Sequence, residues 1–303
     1  MNIIYSIAKD MRMQHDLPIV PVILAGGRGL RLRPLTSRTR PKPFVKLPGI
    51  PSMFQNTLRR VSGYAAPLIV THRDYEDMAK ADLRQIGIAA RDILCEPDHR
   101  GTAAALAMAA LALRHDDVLM LVCPVDHDIQ DEALFHQTIE MAALQAQQSM
   151  CLIGARPSGA YTRYGYIRAR QGRLLSFHEK PDRETASAYC LSREYLWNTG
   201  IFVCRPQDLI NLLRRYAPNI LAAVDAGKYD QAPSLTIDYA VMDHLQEAAV
   251  CSLSLAAGAI LAAGLRFWLV SSLHCCGAIA NRSKICCARK IHMQERRFRK
   301  KDS

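Results

Sequence analysis

The sequence predicts an α/β protein built on a doubly wound, mostly parallel sheet. Five short apolar runs, at 19–24, 68–70, 93–95, 118–123 and 151–153, are too short for good helices and have the character of buried strands. Helix-like stretches at 53–62, 74–87, 102–114 and 131–147 separate them, and that alternation is the pattern of a parallel sheet covered on both faces. At 303 residues, half of them hydrophobic and 7% aromatic, the chain has ample material for a buried core. After residue 155 the rhythm changes. Segments 164–170 and 174–179 flank a Gln171-Gly172 turn and predict a hairpin. A helix at 184–191, a longer strand at 195–205 and helices at 206–216 and 235–247 complete a second, acceptor-binding part laid against the first.

The net charge of +11 suggests nucleic acid until it is located. Residues 251–303 hold ten Lys/Arg against two Asp/Glu, which is +8, so residues 1–250 carry only +3. A basic groove for nucleic acid is therefore not expected. Five of the ten cysteines lie in residues 1–250, mostly within or beside apolar runs, where a thiol is a small core residue. With no CxxC pair, no disulfide framework is suggested. Residues 1–17 form an N-terminal extension that carries Lys9, Asp10 and Arg12 and lacks a sustained apolar stretch, so a cytoplasmic location is expected.

Active sites of doubly wound sheets form outside the C-terminal ends of the strands. The first strand is followed by Gly26, Gly27 and Gly29, which let backbone N–H groups approach a phosphate, and by Arg31, whose guanidinium suits bidentate phosphate contact. Lys42 then sits between Pro41 and Pro43, which restrict the backbone and aim the ammonium. Leu32 stands where a dinucleotide-binding motif needs its third glycine, and no phosphate-loop Gly-Lys-Ser/Thr follows.

Residues 24–44 resemble the signature of sugar-1-phosphate nucleotidyltransferases, approximately LAGGxGxRLxPLTxxxPKP, and further segments resemble the mannose-1-phosphate guanylyltransferases among them. These are Glu96-Pro97-Asp98-His99-Arg100-Gly101-Thr102, Pro124-Val125-Asp126-His127, Tyr164-Gly165-Tyr166-Ile167, Phe177-His178-Glu179-Lys180-Pro181, Tyr195-Leu196-Trp197-Asn198 and Ile237-Asp238-Tyr239-Ala240. Seven such stretches in the family's order cover about four fifths of the chain. The resemblance implies the Rossmann-like fold of nucleotide-diphospho-sugar transferases over residues 18–249. It further implies transfer of GMP from GTP to mannose-1-phosphate, giving GDP-mannose and pyrophosphate, with Mg²⁺.

In that scheme Gly26, Gly27, Gly29, Arg31 and Thr102 bind the nucleotide. Arg31, Lys42 and Asp126 are catalytic, with Asp126 the metal ligand. Gly165, Glu179, Lys180 and Asn198 hold the sugar phosphate. Thr102 is also expected to cap the helix it opens. Gly101 stands where the family has Asn, which keeps a different nucleotide open. Arg33 and Arg163 replace a Trp and a Gly. A homo-oligomer is an open alternative.

After Ala249 the resemblance stops. The family's second metal-binding aspartate is not found there, and an apolar run to residue 273 leads into paired cysteines and a basic end. Residues 250–303 are expected to be an aberrant tail read in a shifted frame. A membrane anchor at 253–273 is the rival, disfavoured by Arg266 within the span. The cysteine pairs, with His274 and His292, match no zinc spacing. The functional alternative is a catalytically impaired remnant that binds nucleotide or sugar phosphate without turnover.

Overall fold

The computed structural model describes residues 15–29, 36–37, 39–46, 49–129 and 131–253. Its first half alternates strand and helix: β1 (Ile19–Leu24), α1 (Met53–Arg60), β2 (Leu68–His72), α2 (Glu76–Ile86), β3 (Asp92–Glu96), α3 (Thr102–Ala112), β4 (Leu119–Pro124), α4 (Glu132–Ala146) and β5 (Cys151–Ala155). The second half runs β6 (Tyr166–Arg170), β7 (Arg173–His178), α5 (Arg183–Leu191), β8 (Tyr195–Cys204), α6 (Pro206–Tyr216), α7 (Pro218–Asp225), α8 (Ile237–Ala240) and β9 (Ala249–Leu253). All the strands join one sheet in the order β3-β2-β1-β4-β8-β5-β9-β7-β6, with β8 also bonded to β6.

The sheet is parallel through β3, β2, β1 and β4, and again where β9 joins β5. It becomes mixed because β8 runs antiparallel to β4, β5 and β6. The hairpin of β6 and β7 is thus an extension of the same sheet, not a separate layer. Successive residues of the central strands face opposite sides. Val20, Val22, Met120 and Val122 enter a core with α3, α6 and α7. Ile19, Ile23, Leu119 and Leu121 enter a second core with α1, α2 and α4. Helix α3 is almost entirely alanine and leucine and is buried nearly all round, as an apolar helix between a sheet and further helices must be.

Pro21 lies in the middle of β1, between two partner strands. Ile19 O accepts from Ala65 and Ala25 N donates to Val70, so odd-numbered residues of β1 face the β2 side. Pairing with β2 starts only at Val22 opposite Leu68, so the missing N–H of Pro21 removes no ladder bond.

Three expectations change. The helix expected at 235–247 shrinks to α8 and a 3-10 turn at Met242–His244. The backbone of Leu235 is already committed: its N–H donates to Arg100 O and its carbonyl accepts from Ala103. Helix α7 was not among the expected elements; Pro218 occupies its first turn, where its missing N–H is harmless. Ordered sheet also runs past the boundary at 249, since Cys151–Ala155 pairs residue by residue with Ala249–Leu253. The rest of the tail, the anchor candidate beyond residue 253 and residues 1–14 lie outside the described residues. Among the described residues no helix is long and apolar enough to cross a membrane.

Leu253 is fully buried at the end of β9, whereas Leu191 is 88% exposed. Leu253→Ala should cost about 2–5 kcal/mol in urea denaturation, and Leu191→Ala should stay within about 0.5 kcal/mol of the parent.

Candidate active site

The partners of β1 diverge at its C-terminal end, with β2 on one side and β4 on the other, and the glycine loop sits at that switch point. Gly29 has φ +66°, and its carbonyl accepts from the Thr36 hydroxyl at 2.7 Å. A Cβ on Gly29 would lie 2.6 Å from Cβ of Lys42, so only glycine lets the loop rest on that lysine. Lys42 opens a short 3-10 turn, Lys42–Phe44, pinned by buried Pro43 and by Phe44 against Phe54 at 5.1 Å. The turn aims Lys42 Nζ at Asp126 Oδ2, 2.6 Å away, and Asp126 stands two residues beyond β4. Burial alone would raise the Asp126 carboxyl, but the Lys42 ammonium, His127 and the hydrogen bond from Lys42 hold it down at about 2. It is an anion at any physiological pH.

Beside the loop opens a cleft of ≈ 820 Å³ whose walls include Arg28, Arg73, Asp74, Asp98, Tyr229 and Asp230. His72 and His99 stack in it, 4.2 Å between centroids. Burial lowers both imidazoles, His99 to about 4 with help from His72 and Arg28, so the pair is a neutral, flat surface at pH 7. Glu96 is buried beneath the loop: Tyr229 donates to its Oε1 at 2.5 Å, and Oε2 lies 2.5 Å from where a Cβ on Gly26 would be. Burial pushes this carboxyl up, and the Tyr229 hydroxyl opposes the shift.

The residues assigned to the acceptor by resemblance, Gly165, Glu179, Lys180 and Asn198, meet in a second cluster. Gly165 is buried where a Cβ would strike Glu179 Oε2 at 2.6 Å and Asn198 Cβ at 3.3 Å. Its carbonyl accepts from Asn198 N at 2.7 Å. Lys180 has φ +47°, a strained setting for a lysine, and its ammonium bonds the Glu179 carboxylate. A Cβ on Gly200 would lie 3.4 Å from Pro124, two residues before Asp126, so β8 runs beside the β4 end. The ≈ 820 Å³ cleft is walled by nucleotide-side residues and does not reach this cluster.

A family model for nucleotidyl transferases matches residues 20–238. The chain belongs to that family. It is 39% identical over 260 residues to the Xanthan biosynthesis protein XanB of Xanthomonas campestris pv. campestris (strain B100), covering 78% of this chain and 56% of XanB. It is 36% identical over 266 residues to the mannose-1-phosphate guanylyltransferase of Sinorhizobium fredii, covering 77% of this chain and 52% of that enzyme. The chain thus spans about half the length of these relatives. A crystal structure described as mannose-1-phosphate geranyltransferase from Thermus thermophilus superposes with a TM-score of 0.69 at 30% identity, covering 78% of this chain and 75% of that one. The inositol-1-phosphate CTP transferase of T. maritima, at 13% identity and a TM-score of 0.58, shares the fold.

Within this nucleotidyl transferase the structure brings Gly26, Gly27, Gly29, Lys42 and Asp126 to one sheet edge, and Gly165, Glu179, Lys180 and Asn198 to its neighbour. Arg31 and Arg33 lie outside the described residues. Thr102 departs from expectation. The residue capping α3 is Gly101, and the Thr102 hydroxyl instead accepts from Ile237 N at 2.8 Å, capping α8. The usual cap of α8, Thr236, leaves its own hydroxyl buried without a partner. Gly101 has φ +81°, and a Cβ there would collide with the Leu235 carbonyl, so the family's Asn does not fit this backbone. Sequence reasoning missed His72 and Tyr229. It quoted Glu96, His99 and Asp238 within motifs and gave them no role.

Gly26→Ala should push its methyl into the Glu96–Tyr229 pair, lower stability by about 1–3 kcal/mol and weaken nucleotide binding. Gly27→Ala, with nothing within 4 Å of its Cβ, should leave the melting temperature nearly unchanged. Thermal melts with and without nucleotide check both.

Proposed function

We propose that the chain transfers GMP from GTP to mannose-1-phosphate, giving GDP-mannose and pyrophosphate. The observation that carries this reading is the Lys42–Asp126 pair at the glycine loop, with a nucleotide-sized cleft beside the loop and a Glu179–Lys180–Asn198 cluster elsewhere in the same fold. The relatives named mannose-1-phosphate guanylyltransferase support the choice of acceptor.

A phosphate oxygen of the sugar phosphate attacks the α-phosphorus of GTP and forms the new P–O bond. The bond from that phosphorus to the bridging oxygen of the β-phosphate breaks, and its electron pair leaves with pyrophosphate. The attacking oxygen is already anionic, so no general base is needed, and catalysis rests on alignment and charge neutralisation. Lys42 supplies a cation at the reacting phosphates once it lets go of Asp126, and Arg31 is assigned to the triphosphate by resemblance. Lys180 serves the sugar phosphate, and Glu179 accepts from sugar hydroxyls.

The choice of GTP rests on the relatives named mannose-1-phosphate guanylyltransferase, since Glu96 is buried beneath the glycine loop, bonded to Tyr229, and does not line the cleft. The stacked His72–His99 pair offers the base a flat neighbour.

The donor set at Asp126 fits Mg²⁺. An ionised carboxylate at the strand end is a hard oxygen ligand, and Mg²⁺ needs only one or two carboxylates when phosphates and waters complete its shell. Asp126 would hold the ion, which would neutralise charge on the phosphates. Among the described residues no cluster of three or more metal-ligating side chains is present, and phosphate oxygens and waters would complete the shell.

The test is pyrophosphate release from GTP, mannose-1-phosphate and Mg²⁺. The protein should release it, and Asp126→Asn should lower the rate on the order of 10²-fold or more. ATP, CTP, UTP and dTTP should be poorer donors than GTP. Intact GTP binding with no release would instead assign the chain to a non-catalytic nucleotide-binding role.

A further inference from the structure

Asp238 lies at the meeting point of the two halves of the site and has no part in the reading above. It lies in the first turn of the four-residue helix α8, is half-buried, and its Oδ1 accepts from Asn198 Nδ2 at 2.9 Å. Asn198 Oδ1 in turn accepts from Gly200 N at 3.0 Å. These two bonds fix which end of the amide is which. Turning the amide over would set its NH₂ against the Gly200 N–H and its carbonyl against a carboxylate, two repulsive contacts in place of two bonds.

We propose that Asp238 is the positioning residue of the acceptor pocket: it holds the Asn198 amide in one orientation, leaving one N–H and one lone pair for a hydroxyl of a hexose 1-phosphate. This rests on the acceptor assignment made above.

The surroundings support the placement. Asp238 lies close enough to Glu179 for the two negative charges to repel, and burial together with Glu179 raises its carboxyl to about 6, against the pull of Asn198 and Lys180. Asp243 is raised for the same reasons. A carboxylate kept near a like charge needs a reason to stay, and Asn198 is the neutral donor that retains it. Asp238 is itself fixed from the nucleotide side. The N–H of Ile237 donates to Thr102, and the backbone of Leu235 bonds to Arg100 and Ala103. Residues 235–238 therefore form a strap from the base-side loop to the acceptor amide.

The test measures KM for mannose-1-phosphate and for GTP in Asp238→Ala, Asn198→Ala, the double variant and Asp238→Asn, with thermal melts to verify folding. Asp238→Ala should raise KM for mannose-1-phosphate about tenfold or more and move KM for GTP less than about twofold. The double variant should be no worse than the poorer single, because Asp238 acts through Asn198. Asp238→Asn keeps a carbonyl acceptor and should recover most of the loss. Additive losses, an equal rise in both KM values, or an Asp238→Ala variant within twofold of the parent would overturn the proposal. If the parent binds mannose-1-phosphate in titration calorimetry without turnover, the same comparison is made on Kd. A parent that neither binds nor consumes mannose-1-phosphate removes the acceptor assignment itself, and the role of Asp238 with it.

Discussion

The parallel ladder of β1 on β4 ends with Leu24 opposite Pro124, and the chemistry of the molecule begins two residues later on each strand. Gly26 and Asp126 are the same distance beyond the last rung, so register alone brings the glycine loop and the carboxylate to one edge. The register is in turn fixed by side-chain alternation. A slip of one residue would exchange Val20 and Val22 with Ile19 and Ile23 between two cores of different shape. Site geometry is thus a consequence of how the two apolar layers fill.

The acceptor side depends on the same strand through β8. Its later residues pair with β4 and β5, while Tyr195–Trp197 pairs with β6, so one ten-residue strand carries Asn198 and Gly200 past the Asp126 corner. The bulge in the β5 pairing between Leu152 and Gly154 falls at this passage, and Gly154 lies where any Cβ would strike Leu196. The antiparallel entry of β8 is what breaks the parallel sheet, and it also carries Asn198 into the same sheet that positions Asp126.

Legibility followed the range over which residues act. Strands β1 to β5 were readable because each is a short apolar run, and α3 because alanine and leucine fill it. Lys42 and the glycines were readable because loop and proline-framed turn lie within 17 residues of one another in sequence. Glu96 and Tyr229 meet across 133 residues, and His72 meets His99 across a whole helix, so no local pattern announces either pair. The expected helix at 235–247 failed for a related reason. Its propensity was real, but the Leu235 carbonyl, which the first turn of such a helix needs, accepts from Ala103 instead. Thr102 looked like a cap and is one, for a helix 135 residues further along.

The Lys42–Asp126 pair shows what such an arrangement accomplishes before any substrate arrives. Each group is largely withdrawn from water, with 16% and 30% of its side chain exposed, and an unpaired charge there would be costly. Pairing lets both stay ionised and in place, the lysine by its proline-framed turn and the overlying Gly29, the aspartate by the end of β4. In the proposed reaction a triphosphate entering from the loop side would give Lys42 a new anion as Asp126 became available to a cation. Neither side chain has to be recruited from solvent. The exchange replaces one set of opposite-charge contacts with another, which is the condition under which an in-line transfer can be accelerated by positioning alone.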